Sequence, residues 1–288
     1  MPLLLAAALG LAVAAGCAPR PDPALWLVRD ADTRLWVLGS VHVAHPQTRW
    51  RSAKIQRAWR AADLLVLETR LDAAGAAALA AEAAARERLP DGRRLSDLLS
   101  PTDAARLDQA AARLGLRRTA LENLRPYAVT LRLMGAQAAA LGQNAAAGVE
   151  STLLREAIAR KLPVIGLESA QAQVAALADL SAQAELRLLQ TQLVALEQDP
   201  RAKERLDALW LRGDIPGLSR AIAVEFADNP ELRAALLSRR NAVFATALRG
   251  LLAQRKGDVL VVLGAAHMAG ADGVPERLRR AGVSVARR

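Results

Sequence analysis

Two octapeptides near opposite ends of this 288-residue chain share the pattern L-x-V-L-G-x-x-H. The first spans residues 35–42 and ends at His42, and the second spans residues 260–267 and ends at His267. The chain has only 3 histidines, so a chance match at the same spacing is a weak explanation. Both octapeptides begin as continuous apolar runs, which are typical of strands covered on both faces of a parallel sheet. The pattern therefore predicts two related strands, each followed by a histidine.

A second pair of apolar runs also shares its ending. Residues 64–68 lead into Glu68-Thr69, and residues 163–168 lead into Glu168-Ser169. With runs 35–43 and 259–268 they predict four strands, separated by helical patterns at residues 73–88, 100–114, 149–161, 181–198 and 230–254. We therefore expect an α/β fold: a small, mostly parallel sheet of two pseudo-repeated halves, flanking helices and a large helical insertion at about residues 73–148.

The four strand endings form a candidate site, because ligands of open α/β sheets collect at the carboxyl ends of the strands. Two imidazoles and two carboxylates at one edge are ligands that suit Zn, Mn, Co or Fe. Simpler interpretations stay open for each residue. A strand-end histidine can be only a hydrogen-bonded polar group, Glu68 can pair with an arginine, and Glu168 can be a neighbour of a helix cap at Ser169. His45, in the loop after the first strand, is expected to be exposed or to support the site.

The N-terminus has the pattern of an export signal. Residues 3–16 are uncharged and almost entirely apolar, and they end at Cys17, the only cysteine of the chain. Small residues before a lone cysteine, followed by a proline-rich tether, resemble a bacterial lipoprotein signal. We expect a signal peptide at residues 1–16, lipidation at Cys17, a tether at 17–24 and one α/β domain at 25–288. By this resemblance, Ala18 in place of Asp favours an anchor at the outer membrane, facing the periplasm. A soluble periplasmic protein is the alternative.

The net charge of +10 allows an anionic partner. However, the arginines are spread along the chain, and aromatic residues make up only 3% of it, which is unfavourable for base stacking. No nucleic-acid partner is therefore expected.

The motifs together resemble the TraB/PrgY/GumN family, which includes the Wnt-cleaving TIKI proteases. The erythromycin-esterase and ChaN-type haem-binding proteins are similar to it in fold. The resemblance rests on G-S-V-H at residues 39–42, Leu67-Glu68 and G-A-A-H at residues 264–267. It extends to G-V-E at residues 148–150, P-V-I-G-L-E at 163–168 and R-N at 240–241, and so covers nearly all of the chain after the tether.

The resemblance implies a metal-dependent, peptidase-like hydrolase that acts on a peptide or another small substrate of the cell envelope. It implies a divalent metal (Mn, Co or Zn) held by His42, His267 and Glu168. By the same resemblance, Glu68 is a further ligand or the general base, and Arg240 binds a carboxylate or stabilises developing negative charge. Asn241 orients a neighbour, and we expect both Asn241 and Glu150 to bind substrate. One alternative is a haem- or metal-binding lipoprotein without turnover, and another is a degenerate scaffold that binds envelope components.

Overall fold

A computed structural model describes residues 21–288 of the chain. The predicted signal peptide and lipidation site at Cys17 lie outside the described residues. Within residues 21–288, no helix has the length and apolar character needed to cross a lipid bilayer.

The centre of the fold is a six-stranded, mostly parallel sheet with strand order β4-β3-β5-β2-β1-β6. Four neighbouring strands, β4, β3, β5 and β2, run parallel, and β1 is antiparallel to both of its neighbours. The α/β class and the mostly parallel sheet predicted from the sequence are confirmed. The strands are β1 (Leu25–Arg29), β2 (Thr33–Ser40), β3 (Leu64–Leu67), β4 (Val164–Gly166), β5 (Gly257–Gly264) and β6 (Ser284–Arg287).

The repeated strands lie side by side in this sheet. Strand β2 pairs with β5, with Ser40 opposite Gly264, and β3 pairs with both β5 and β4. All four strands point the same way, so the four polar endings predicted from the sequence reach one edge of the sheet.

Helices cover the sheet and build a second layer beside it. Several begin at residues with strong N-terminal preferences: Ser100, Ser169 and Ser181 each accept a hydrogen bond from the backbone N–H three residues later. The helices are α1 (Ala53–Ala61), α2 (Ala73–Arg86), α3 (Pro101–Arg113), α4 (Pro126–Ala140), α5 (Val149–Ala159), α6 (Ala170–Ala178), α7 (Ala182–Gln198), α8 (Ala202–Leu211), α9 (Ile215–Glu225), α10 (Pro230–Arg233), α11 (Arg239–Gln254) and α12 (Val274–Arg280).

Alternate residues of the central strands enter two different cores. Leu65 and Leu67 of β3 pack with α1 and α5 on one face of the sheet. Leu64 and Val66 pack with α11 and α12 on the other face. The prediction of coverage on both faces is therefore confirmed for β3. It is wrong for β4, where Ile165 is 39% exposed, because β4 is the edge strand.

Four of the helices between β3 and β5, namely α3, α4, α6 and α7, share a third core. Leu107 of α3 and Leu133 of α4 pack in the same cluster as Leu189 and Leu193 of α7. The segment predicted as an insertion, about residues 73–148, therefore packs against helices that follow it in the chain. Where the insertion ends stays a prediction.

One predicted long helix contains an irregular turn. Residues 230–254 form α10, a π-helical stretch at Ala234–Ser238, and α11. Asn229 caps the start, since its side chain accepts a hydrogen bond from Leu232 N. Such π-turns widen a helix by one residue and are frequent at functional sites. Here the turn ends at Ser238, two residues before Arg240 of the R-N pair.

Candidate functional site

The two histidines of the repeated motif meet at one point in front of β5. A Cβ atom placed on Gly264 would lie 3.2 Å from Glu68 Oε1, 3.5 Å from His267 Cδ2 and 3.7 Å from His42 Nε2. A larger residue at position 264 would therefore fill the space into which these three side chains converge. The predicted meeting of His42, Glu68 and His267 is thus found in the structure.

His42 is the accessible imidazole of the site. Its side chain is 62% exposed, and its Nδ1 lies 3.1 Å from Oε1 of the largely buried Glu150. The same carboxylate oxygen accepts a hydrogen bond from Ser40 Oγ at 2.5 Å. The negative charge of Glu150 raises the pKa of His42 to about 9 and outweighs the partial desolvation of the ring, which acts to lower that pKa. Glu150 therefore both orients the ring and favours its protonated form.

Gly148 allows Glu150 to approach His42. A Cβ at position 148 would lie 2.1 Å from the carbonyl oxygen of His42, which is far inside contact distance. The next residue, Val149, donates its backbone N–H to Val41 O at 3.1 Å. The start of α5 is thereby fixed against the turn that follows β2, and the close backbone approach explains the glycine of the G-V-E segment.

Glu68 is a buried carboxylate that carries charge. Burial acts to raise its pKa, but the nearby His267, Arg240 and His42 and the N–H of Gly264 outweigh burial and hold the pKa at about 2. Gly264 N donates to Oε1 at 2.5 Å, and Arg240 Nη2 donates to Oε2 at 2.6 Å. Both oxygens of Glu68 therefore have partners within the protein.

Arg240 joins the two predicted carboxylates. Its Nη2 donates to Glu168 Oε1 at 2.6 Å as well as to Glu68, and its Nε donates to Glu168 Oε2 at 3.0 Å. Its Nη1 lies 3.3 Å from Leu236 O and 3.2 Å from His267 Nε2. The five N–H donors of a guanidinium are thus all engaged within the chain.

His267 is buried and electrically neutral at pH 7. Asn241 Nδ2 donates to Asp272 O at 2.8 Å, so the amide presents its oxygen to His267 Nδ1, which lies 2.6 Å away. The proton of the neutral ring is therefore on Nδ1, and the Nε2 lone pair faces Arg240. Burial lowers the pKa of His267 to about 4, with Glu68 opposing that shift and Arg240 adding to it. The ring edge also meets Phe244, with centroids 5.2 Å apart.

This arrangement does not fit a divalent metal. Glu68, Glu168 and His267 Nε2, three of the expected donors, all point at the guanidinium of Arg240. Across the described residues 21–288, no three His, Cys, Asp or Glu side chains form a group able to hold a metal ion. The expected metal-binding roles of His42, His267 and Glu168 stay predictions.

Of the remaining predicted residues, two contact the histidines of the site and one lies outside it. Glu150 and Asn241, expected to bind substrate, instead each contact a histidine in this structure. Asn241 is 2% exposed, so its visible contacts position His267. His45 lies exposed in the loop after β2, as expected, and its Nδ1 accepts a hydrogen bond from Gln47 N. The substrate-binding roles of Glu150 and Asn241 stay predictions.

Nearly all of the residues that the structure describes match one known protein family. A sequence profile described as the TraB/PrgY/gumN family matches residues 24–287. The chain belongs to this family. It is 24% identical over 257 residues to the protein described as uncharacterized protein YbaP from Escherichia coli (strain K12), covering 89% of this chain and 92% of that one. The YbaP protein of Shigella flexneri gives the same identity and coverage. No solved structure matches the chain.

The contacts that three residues make in this candidate site were not predicted from the sequence. Ser40 lies inside the G-S-V-H motif, yet its partner Glu150 is 110 residues away in the chain. The backbone N–H of Gly264 donates to Glu68, and Phe244 lies against both His267 and Arg240. The position of Ser40, two residues before His42 in the motif, could have identified it as a site residue. For Phe244, the only indication in the sequence was its helical spacing, three residues after Asn241 on α11.

Proposed function

We propose that the chain is a hydrolase that cleaves a peptide or a related acyl bond, with His42 as the group that moves the proton. One arrangement carries this proposal: an exposed imidazole whose Nδ1 is held by the carboxylate of Glu150 and whose Nε2 lies beside Gly264, 3.7 Å from where a Cβ atom of residue 264 would stand. A carboxylate at Nδ1 fixes the tautomer that leaves Nε2 free to act as a base.

The proposed reaction has two proton transfers. Neutral His42 accepts a proton from water at Nε2 while the water oxygen forms a bond to the acyl carbon. The imidazolium then returns that proton to the leaving group as the acyl bond breaks, so the enzyme ends in its starting state. Because the pKa of His42 is about 9, the reactive neutral form increases as the pH rises toward that value.

The buried residues would supply a fixed electrostatic environment. Glu68 is ionised at neutral pH and lies on the same side of Gly264 as His42 Nε2. A negative charge there stabilises the imidazolium that forms during the reaction. Neutral His267 and its partner Asn241 are buried and add no charge to the site.

The place of action is part of the proposal. The Ala14-Ala15-Gly16-Cys17 sequence supports export and lipidation, with an anchor at the outer membrane and a peptide or another small envelope molecule as substrate. Mass spectrometry of the mature N-terminus tests this directly. An acylated Cys17 is expected, and C17S should leave the protein unanchored; an unmodified cysteine would overturn the anchor.

The catalytic proposal is tested with a peptide library and three proteins: wild type, H42A and H45A. His45 is the matched control, because it is an exposed histidine of the same loop without a contact to the site residues. We expect H42A to lose about 10²- to 10⁴-fold in kcat, the usual contribution of a general base, while H45A cleaves like wild type. Full turnover by H42A would overturn the proposal. A Soret band on haem titration, with no cleavage, would replace it by the haem-binding alternative.

A further inference from the structure

We infer that Arg240 is the resident cation of this site: its guanidinium occupies the position that a divalent metal would need, and the protein holds no metal there. The inference concerns the same cleft as the proposed hydrolase and explains how its carboxylates are kept ionised. Metal binding can be measured without turnover, so the two proposals fail separately.

The charge balance of the buried cluster supports this role. Glu68 and Glu168 both lie within 2.6 Å of Arg240 Nη2, and both side chains are largely buried. Two carboxylates this close to one atom would repel each other without a cation between them. Arg240 supplies that charge, and its planar group suits two carboxylates better than a compact ammonium would.

Two further contacts, with an aromatic ring and with a backbone carbonyl, also hold the guanidinium in place. Arg240 Cζ lies 5.3 Å from the centre of the Phe244 ring, which is fully buried. Leu236 O, in the π-helical stretch one turn earlier, accepts from Nη1. A side chain with contacts on its charged end and on its flat face has little freedom to swing out and admit an ion. These contacts make Arg240 a positioning residue for Glu68, Glu168 and His267.

Removing the guanidinium would leave a different site. Glu68, Glu168 and the Nε2 lone pair of His267 all face the vacated space, and carboxylate oxygens with an imidazole nitrogen are suitable ligands for Zn²⁺ or Mn²⁺. The structure therefore predicts that R240A gains a metal site that the wild-type protein lacks.

The test combines elemental analysis with calorimetric titration. Wild type, R240A and R239A are purified without chelator and analysed for metals, then titrated with Zn²⁺ and with Mn²⁺. Arg239 is the matched control, because it is the adjacent, exposed arginine of the same helix. We expect no stoichiometric metal in wild type or R239A, and saturable, stoichiometric binding in R240A that is lost in R240A/E68Q.

Two outcomes would overturn the inference. One is stoichiometric metal in the wild-type protein that is lost in H267A. This outcome can be measured even if R240A does not fold. The other is a folded R240A, judged by circular dichroism, that binds neither ion. If wild type is metal-free and R240A binds metal but no peptide is cleaved, only the hydrolase proposal fails. If wild type contains metal and cleaves peptides, only the Arg240 inference fails.

Discussion

Asn241 Oδ1 lies 2.6 Å from Nδ1 of His267, and the side-chain amide of Asn241 is itself fixed by its bond to Asp272 O. This contact sets which nitrogen of a buried imidazole carries the proton. An uncharged partner at Nδ1 also leaves the effect of burial on His267 largely uncompensated. His267 is therefore neutral at pH 7, whereas His42, whose Nδ1 faces a carboxylate, has a pKa of about 9.

The first prediction concerns this contact. N241D replaces the neutral amide with a carboxylate at the same distance from Nδ1. A negative charge favours the imidazolium, so the pKa of His267 should rise from about 4. The pH dependence of the His267 ring signals in NMR spectra measures the change. The ring signals of His45, which is exposed, provide the internal reference for the spectra. An unchanged His267 titration would show that Asn241 does not govern its protonation.

A second prediction separates the charge of Glu150 from its hydrogen bonds. E150Q removes the charge that raises the pKa of His42, so that pKa should fall from about 9 toward the ordinary value of about 6.5. If neutral His42 is the base, the rise of kcat/KM with pH should move to lower pH by the same interval. S40A, which removes one hydrogen bond to Glu150 but leaves its charge, should give a much smaller shift. The pH–rate profile and the NMR titration must move together, and a shift in only one of them would contradict the proposed role.

The pH dependence of stability is the third prediction. The folded pKa of His267 is depressed to about 4 from 6.5, so the unfolded chain binds more protons as the pH falls between those values. The free energy of unfolding should therefore decrease over that interval because of His267. Glu68 lowers the free energy of unfolding further as the pH falls from 4.5 to about 2. Over that interval its carboxylate is protonated in the unfolded chain but still ionised in the folded one. His42 affects stability at alkaline pH. Its contribution to the free energy of unfolding is fully present below pH 6.5 and is lost as the pH rises toward 9.

Urea unfolding at a series of pH values measures these effects. The acid loss should be smaller in E68Q than in wild type between pH 4.5 and 2, since glutamine does not titrate. H42A should lack the alkaline loss assigned to His42. Identical pH profiles for wild type and both variants would contradict the assignments.

The fourth prediction uses two glycines in different surroundings. G148A places a methyl group against the carbonyl of His42, which is backbone and cannot turn aside. It should cost about 1–3 kcal/mol, typical of overpacking, and should displace Glu150 from His42. G135A in α4 is the matched control, because nothing lies within 4 Å of its added Cβ. It should stabilise the protein by about 0.5–1 kcal/mol, the helix preference of alanine over glycine. Equal effects of the two substitutions on the urea midpoint would contradict the packing argument.

The strand endings could be predicted from the sequence because the information is local. The run at 64–68 is apolar up to Glu68, and a carboxylate after such a run belongs at the end of a strand. Strands β1 and β6 were not predicted. β6 is a short, largely exposed segment without a clear alternation, and it forms through pairing with β1, which is more than 250 residues earlier in the chain. That pairing is a property of the complete fold.

The centre of the site was harder to predict for a similar reason. Nothing in the residues themselves distinguished Arg240 from the many other arginines of this basic chain. They allowed either a salt bridge or a substrate contact. Its contacts with Glu68 and Glu168 depend on how α11 crosses the edge of the sheet, and they join residues 172 and 72 positions apart. No spacing within α11 encodes that crossing. The same holds for Ser40 and Glu150, whose pairing depends on where α5 begins.

The π-helical turn at Ala234–Ser238 determines which side chain faces the two carboxylates. An α-helix advances about 100° per residue, so shortening this turn by a single residue would rotate everything after it by about that angle. Position 240 would then aim away from Glu68, and α11 would present another side chain to the cleft. The number of residues in the π-helical turn thus fixes the rotation of α11 about its own axis. Insertions and deletions there should be tolerated far less than changes of residue type.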